Sequence, residues 1–205
     1  MIDELELKAM VPDLDACRAR VEAAGAHLVF TGLLTDRRWD LPHRPLSARD
    51  EVVRVRTSEP APSSDGRRAR TRHVLDWKGP TRVENGYKRR LERSTGVDDP
   101  VVLETILRAA GFVVVREVER EVVQYALGDA TLRFERYPRL DVLIEVEGTP
   151  EAVESAIAAT GLPRASFTAA RLTDFVADFE RRTGTRAALT TRDLRAGGTM
   201  RSADD

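Results

Sequence analysis

The first residues of the chain alternate strictly between charged and apolar side chains, and this pattern constrains the fold more than any other feature. In the stretch from Ile2 to Lys8, Glu4, Glu6 and Lys8 fall on one side, and two leucines fall on the other. An alternation with a period of two predicts a β-strand with one polar and one apolar face. A single strand of this kind usually lies at a surface, so its meaning depends on the other strands.

The same alternation returns in four later segments. Their charged faces carry Arg54 and Arg56, Asp76 and Lys78, Arg133 and Glu135, and Glu145 and Glu147. A sheet face that carries charges on every strand is energetically unfavourable at an ordinary protein surface, because neighbouring like charges repel each other. The pattern therefore predicts that the strands curl until their charged faces line one cavity, with helices covering the apolar faces outside. This inverts the ordinary small barrel, whose interior is filled with apolar side chains.

The composition excludes several classes of protein. The 205 residues suit one substantial domain, and 33 basic and 34 acidic side chains nearly cancel, whereas a nonspecific nucleic-acid binder has a basic excess. Cys17 is the one cysteine, so no internal disulfide can form, which fits a reducing compartment. The sequence shows no signal-peptide pattern and no apolar stretch of roughly 20 residues, the length of a membrane span. We expect a cytoplasmic protein with no nucleic-acid or membrane partner.

The chain order predicts the fold class. Strands are expected at residues 2–8, 27–40, 51–57, 73–78, 87–94, 112–127, 131–136 and 140–147, with helices near 12–24, 98–110, 151–160 and 168–182. Asn85-Gly86 is a typical hairpin turn, and residues 59–72 are expected to form a mobile basic loop. The prediction is an α+β fold: an eight-stranded, mostly antiparallel β tunnel, closed and charged inside, with helices packed outside. Residues 1–184 form a single domain in this prediction, and residues 185–205 form a mobile tail.

Five glutamates are the candidate metal ligands. Glu4 and Glu6 lie two residues apart on one face, as do Glu145 and Glu147, and Glu135 belongs to another strand. Crowded carboxylates disfavour each other's ionised form unless a cation is present. Hard oxygen ligands of this kind suit Mg²⁺ or Mn²⁺, with substrate phosphates completing the coordination shell. The three histidines stand apart in the sequence and do not indicate a zinc site.

Basic side chains on the same faces are the candidate phosphate ligands. They are Lys8, Arg54, Arg56, Lys78, Lys88, Arg90, Arg120 and Arg133. Arginine grips phosphate oxygens in pairs, whereas lysine acts as a movable point charge. So many cations exceed what a monophosphate needs, and they fit a linear triphosphate. The alternative, in which these cations only form cross-strand salt bridges with the carboxylates, stays open.

Six segments, in this order, resemble the CYTH family, the triphosphate tunnel metalloenzymes. Glu4-Leu5-Glu6-Leu7-Lys8 resembles the ExExK signature of that family, and the other five segments are residues 35–40, 53–56, 75–80, 134–135 and 143–147. The family includes class IV adenylyl cyclases, thiamine triphosphatases and inorganic triphosphatases. The resemblance covers residues 2 to about 160. Val122 departs from it, because the family carries a basic residue there, and Arg89-Arg90-Leu91 is more basic than the family pattern.

The resemblance implies roles for individual residues. Glu6, Glu145 and Glu147 would hold the metal, with Glu4 and Glu135 nearby. Lys8 and the other inward cations would bind the triphosphate. Lys8 and Glu6 are the candidate catalytic residues, since a lysine among other cations could help to activate a water molecule.

Three functions are compatible with such a site. The first is a metal-dependent triphosphatase, in which water attacks the terminal phosphorus of an inorganic or organic triphosphate in line. The second is a class IV adenylyl cyclase making cyclic AMP and pyrophosphate from ATP, which needs a base pocket that the sequence does not show. The third is a protein that binds nucleotide or polyphosphate without turnover. The sequence does not choose among tripolyphosphate, ATP and thiamine triphosphate, and it leaves a homodimer open.

Overall fold

A closed β-barrel forms the centre of the structure, a computed structural model that describes residues 2–62 and 69–196, with side chains from residue 5 onward. Its strands are β1 (Ile2–Met10), β2 (His27–Asp40), β3 (Val52–Pro60), β4 (Arg72–Lys78), β5 (Arg82–Glu84), β6 (Tyr87–Val97), β7 (Val113–Leu127), β8 (Ala130–Arg136) and β9 (Leu143–Gly148). Eight strands pair in the order β1-β9-β8-β7-β2-β3-β4-β6, and β6 pairs with β1 to close the ring. All of these pairings are antiparallel. The predicted α+β tunnel is confirmed.

The short strand β5 is missing from the prediction. It pairs with the first residues of β6, through the turn at Asn85 and Gly86. Both turn residues have positive φ, 52° and 82°, which is the conformation that an Asn-Gly hairpin turn favours. The predicted turn is thus confirmed, but three residues with a single apolar side chain were too few to indicate a strand before it. Residues 63–68 of the predicted mobile loop lie outside the described residues.

In the described part of the chain, six α-helices lie outside the barrel. They are α1 (Leu14–Ala23), α2 (Pro45–Ala48), α3 (Pro100–Ala109), α4 (Pro150–Thr160), α5 (Leu172–Thr183) and α6 (Thr191–Ala196). Three of these helices, α1, α3 and α4, begin with a capping side chain. Asp13, Asp99 and Thr149 each accept a hydrogen bond from a backbone N–H of the first turn. No helix in the described part of the chain is long and apolar enough to cross a membrane.

Helices α1 and α4 cover an outward apolar face on one side of the barrel. There, α1 and α4 pack over β1, β8 and β9, and Leu7, Leu132 and Val146 are fully buried. On the opposite side, α3 leaves Val101 73% and Ile106 58% exposed. The prediction of helices packed outside the barrel is confirmed, and α3 has an exposed apolar face of its own.

The predicted tail begins with a segment that packs against the barrel. Ala188 is buried and forms an antiparallel β-bridge with Arg139, and Thr191 donates hydrogen bonds to Glu119 on β7. Residues 185–196 therefore contact the domain and include α6. The domain boundary and the mobility of the tail stay predictions, and residues 197–205 lie outside the described residues.

Gly32 on β2 allows a close approach to β3, and its replacement tests the barrel geometry. A Cβ atom at Gly32 would lie 2.1 Å from the backbone oxygen of Glu59 and 2.9 Å from Cα of Pro60. Because backbone atoms cannot move aside singly, we expect Gly32→Ala to lower the free energy of unfolding by about 3 kcal/mol. Urea denaturation measures the loss. The control is Gly96→Ala, also in a strand, where a Cβ atom has nothing within 4 Å; equal losses would contradict the geometry.

Candidate active site

The barrel encloses a cavity of about 270 Å³ whose lining is dominated by charge. Its basic residues are Lys8, Arg38, Arg54, Arg56, Lys78, Lys88, Arg90, Arg120 and Arg133, and its acidic residues are Glu6, Asp36, Asp76, Glu92, Glu135, Glu145 and Glu147. The described lining thus holds nine basic and seven acidic side chains. All the predicted site residues are among them except Glu4, whose side chain lies outside the described part of the chain.

Strand register explains why these side chains meet. In the β1–β9 pair, Glu6 lies opposite Glu147 and Lys8 lies opposite Glu145. In the β1–β6 pair, Glu6 lies opposite Lys88. Partners directly opposite each other in an antiparallel pair point to the same face, so the alternation in each strand delivers its charges to the interior.

Three glutamates form a cluster that could hold a metal ion. Carboxylate oxygens of Glu6, Glu145 and Glu147 lie within 4.8 Å of one another. Burial raises the pKa of Glu6, but Lys8 and Lys88 outweigh burial and hold that pKa well below its ordinary value. An ionised carboxylate cluster of this spacing fits a hard divalent cation such as Mg²⁺ or Mn²⁺.

The cluster is held by basic side chains from three strands. The Lys8 Nζ atom lies 3.1 Å from a Glu6 oxygen and also forms an ion pair with Glu145. Lys88 forms a second ion pair with Glu6, and Arg133 reaches a Glu145 oxygen at 2.5 Å. The salt bridges weighed in the sequence analysis thus exist alongside the candidate metal cluster.

Glu135 has a different environment from the three clustered glutamates. Its carboxylate accepts hydrogen bonds from Arg120 Nε at 2.7 Å and from the Tyr137 hydroxyl at 2.6 Å. Burial raises the pKa of Glu135, but Arg120 and Lys8 outweigh it and lower the pKa to about 2. Glu135 is not one of the three clustered glutamates, so its role as a metal ligand stays a prediction.

Asp36 organises three of the predicted phosphate ligands. Its carboxylate lies 2.7 Å from Arg56 Nε, 3.0 Å from Arg120 Nη1 and 3.4 Å from Arg54 Nη1. Burial raises the pKa of Asp36, but Arg54, Arg120 and Arg56 hold it well below its ordinary value. Asp76 plays a similar part, since it accepts from Arg54 at 2.5 Å and from the Ser94 hydroxyl. These arginines are therefore held in place before any ligand arrives.

One end of the cavity is formed by α5, which the sequence analysis placed outside the barrel. Leu172, the first residue of α5, lines the cavity, and Arg171 Nη2 lies 3.0 Å from a carboxylate oxygen of Asp50. The backbone oxygen of Asp50 in turn accepts from Arg90 Nη2 at 2.6 Å. We call this the α5 end of the tunnel, defined by Val52, Arg90 and Leu172.

Sequence reasoning missed several residues of the lining. The most important are Asp36 and Arg38 on β2, Glu92 on β6, and Tyr137 after β8. A signal for the first two exists, because Asp36 and Arg38 are two residues apart in a strand. The charged residues in Asp36-Arg37-Arg38 are consecutive, however, and they conceal that alternation.

The depressed pKa values of two buried carboxylates predict sensitivity to acid. The folded pKa values of Asp36 and Glu135 lie below the value of about 4 expected for unfolded carboxyl groups. Their contribution to stability is therefore present above about pH 5 and is lost as the pH falls through 4 toward 2. We expect the free energy of unfolding, measured in urea, to fall steeply below pH 4. A constant free energy from pH 6 to pH 3 would contradict the buried ion-pair network.

Comparison with known proteins establishes the fold. No protein-family model matches the chain, and no curated protein sequence matches it. A solved structure of a candidate adenylate cyclase from Vibrio parahaemolyticus has a TM-score of 0.70 at 16% identity, covering 85% of this chain and 98% of that one. The PH1819 protein from Pyrococcus horikoshii OT3 gives 0.68 at 22% identity, covering 85% and 98%.

A third solved structure is HpAC1 from Hippeastrum, a candidate adenylyl cyclase described as having a dominant triphosphatase activity. Its TM-score is 0.60 at 18% identity, and the match covers 92% of this chain and 98% of that one. Identities this low establish a shared fold alone. They confirm the fold expected from the resemblance to the CYTH family.

Proposed function

We propose that the protein is a metal-dependent phosphohydrolase of the CYTH type, which hydrolyses an inorganic or organic triphosphate inside its tunnel. The observation that carries the proposal is the cluster of Glu6, Glu145 and Glu147 beside a row of buried cations in one closed barrel. Phosphoryl transfer needs positioning and neutralisation of charge more than covalent chemistry from the protein. A cavity with both a hard-metal cluster and many phosphate ligands supplies both needs.

The proposal divides the lining into two roles. Glu6, Glu145 and Glu147 would hold Mg²⁺ or Mn²⁺, which would neutralise charge on the phosphate oxygens. The polyphosphate would be gripped by the inward cations, namely Lys8, Arg54, Arg56, Lys78, Lys88, Arg90, Arg120 and Arg133. Lys8 is our candidate for activating the attacking water. Lys88 is a second candidate, because burial and the neighbouring Lys8 lower its pKa, outweighing Glu6.

The size and chemistry of the cavity favour an inorganic chain over a nucleotide. Its volume of about 270 Å³ lies below the roughly 300–1,000 Å³ typical of sites for larger organic ligands. Tyr137 is the aromatic side chain of the described lining, and its hydroxyl is bonded to Glu135. The described lining therefore offers no free aromatic surface on which an adenine could stack, and tripolyphosphate is our preferred substrate.

An adenylyl cyclase is the second candidate function. It is favoured by the Vibrio parahaemolyticus neighbour, whose name assigns it to the adenylate cyclases. The dominant triphosphatase activity described for HpAC1 favours the hydrolase. Both reactions would use the same cations, so removal of one arginine cannot distinguish them.

Product analysis distinguishes the candidates. The protein is incubated with tripolyphosphate, ATP or thiamine triphosphate, each with Mg²⁺ or Mn²⁺, and the products are separated by ion-exchange chromatography. We expect tripolyphosphate to yield orthophosphate and pyrophosphate and to compete with ATP. Stoichiometric cyclic AMP and pyrophosphate from ATP, with tripolyphosphate left intact, would show a cyclase. Binding of tripolyphosphate without any product would show a protein that binds polyphosphate without turnover.

A further inference from the structure

The positive charge of the tunnel is not evenly compensated. Each of the seven carboxylates in the described lining contacts at least one of the basic side chains there. Arg38 and Arg90 are the basic residues of the lining that have no carboxylate contact among the described residues. Arg90 donates instead to the backbone oxygens of Gly79 and Asp50. Arg38 is thus the basic residue of the described lining with neither a carboxylate contact nor a hydrogen-bond acceptor among the described residues.

Arg38 lacks any partner within the described part of the chain. Its Nε atom is buried without a hydrogen-bond acceptor, and no ion pair reaches its guanidinium there. Arg38 lies directly opposite Arg116 in the β2–β7 pair, and Arg116 also has no carboxylate contact among the described residues. Two arginines opposite each other on neighbouring strands repel, so this arrangement weakens the empty barrel.

The electrostatic surroundings of Arg38 agree with that geometry. Burial lowers the pKa of Arg38, and the neighbouring Arg116 and Arg54 lower it further, to about 10, despite the opposing effect of Asp36. Arg90 acts in the same direction. A buried guanidinium surrounded by other cations is costly unless an anion joins it. Among the described residues no carboxylate contacts Arg38, so its guanidinium is available to an anion that enters the tunnel.

The position of Arg38 identifies the kind of ligand. Arg38 faces the same cavity as the triphosphate-binding cations, lies opposite Arg54 on β3, and shares the lining with Val52, Arg90 and Leu172 of the α5 end. Apolar walls beside a guanidinium strengthen its hydrogen bonds to an oxyanion, because water competes less there. Because Arg38 lines the same cavity as the triphosphate-binding cations, its ligand is expected to be a phosphoryl group of the same polyphosphate or a phosphate released from it.

We propose that Arg38 provides an additional subsite for a phosphoryl group at the α5 end of the tunnel, beside the triphosphate-binding Arg90. We call it the Arg38 subsite. It rests on the proposed function and extends it, because it takes a phosphate beyond the three of a triphosphate. That phosphate is either the fourth group of a longer linear polyphosphate or orthophosphate released by hydrolysis.

Calorimetric titration tests the subsite without turnover. Orthophosphate, tripolyphosphate and tetrapolyphosphate are titrated in excess chelator into the unaltered protein, Arg38→Gln and Arg37→Gln. Arg37 is the matched control, because it neighbours Arg38 on the outer face and pairs with Glu104 and Glu117. We expect the unaltered protein and the control to bind tetrapolyphosphate about tenfold more tightly than tripolyphosphate, the scale of one charge-assisted contact. In Arg38→Gln that preference should vanish, with tripolyphosphate affinity unchanged.

The other outcomes are equally decisive. Arg38→Gln could instead keep the preference for tetrapolyphosphate over tripolyphosphate and lose about tenfold in its affinity for orthophosphate. That result would support the subsite and identify its ligand as the released product. Equal losses for all three anions, or no loss for any, would overturn it. If the unaltered protein binds tripolyphosphate but does not prefer tetrapolyphosphate, and Arg38→Gln changes no affinity, the subsite fails alone. If it binds neither polyphosphate in chelator or with Mg²⁺ restored, the proposed function fails as well.

Stability provides a check on the folding of the variant. Because the partly buried Arg38 has no carboxylate contact among the described residues, Arg38→Gln should unfold at a urea concentration no lower than the unaltered protein does. A marked loss of stability would overturn the subsite, since it would show that Arg38 has a structural partner within the chain.

Discussion

Glu6→Gln is expected to lower the rate of tripolyphosphate hydrolysis by about a thousandfold, the scale of losing a group that stabilises transition-state charge. Glu6 contributes one of the three clustered carboxylates and accepts ion pairs from Lys8 and Lys88. Glutamine keeps the shape of the side chain but removes the negative charge that a divalent metal needs. The measurement is orthophosphate release at saturating Mg²⁺, with circular dichroism to confirm that the variant is folded.

Two further variants make the result interpretable. Glu147→Gln should cause a similar loss, and it disturbs fewer contacts, because Glu147 is reached by Arg133 at 3.4 Å. Glu121→Gln is the control, since that side chain is 72% exposed on β7 and should retain full activity. Full activity in Glu6→Gln or Glu147→Gln would contradict the assignment of the metal cluster.

Asp36→Asn is expected to produce the largest loss of stability, about 3–5 kcal/mol in the free energy of unfolding. Asp36 is buried and is shared by Arg54, Arg56 and Arg120. Removing its charge leaves three buried guanidiniums that repel each other, and an asparagine amide cannot compensate them. Urea denaturation at pH 7 measures the loss.

An added polyanion should restore part of that stability. A ligand that binds only the folded protein stabilises it by mass action, and tripolyphosphate would supply the negative charge that Asp36→Asn removes. Asp129→Asn, the same change at an exposed turn residue, is the control. If Asp36→Asn were no less stable than Asp129→Asn, Asp36 would not hold the arginines in place.

The alternation of charged and apolar side chains along the strands was enough to predict the tunnel. Glu6, Lys8, Glu145 and Glu147 share one face because side chains alternate in a strand, and strand register then brings them together. The closed ring also follows from that alternation, since it places the charged faces together inside. The prediction of the tunnel requires only local periodicity, which the sequence shows directly.

Features that depend on tertiary packing could not be predicted in this way. The position of Leu172 in the cavity depends on how α5 packs across the barrel end, and nothing in its own segment indicates that placement. The strand β5 exists because it pairs with β6, and its three residues are too few to indicate a strand by themselves. The lack of a partner for Arg38 is equally invisible in the sequence, because it depends on where every neighbouring carboxylate goes.

The most direct test of the proposed function is the release of orthophosphate from tripolyphosphate, followed first with Mg²⁺ or Mn²⁺ and then after excess chelator is added. The proposed metal cluster of Glu6, Glu145 and Glu147 predicts steady release that stops with chelator and resumes when the metal is restored. Release that continues at the same rate in excess chelator, or no release with either metal, would contradict a metal-dependent triphosphatase.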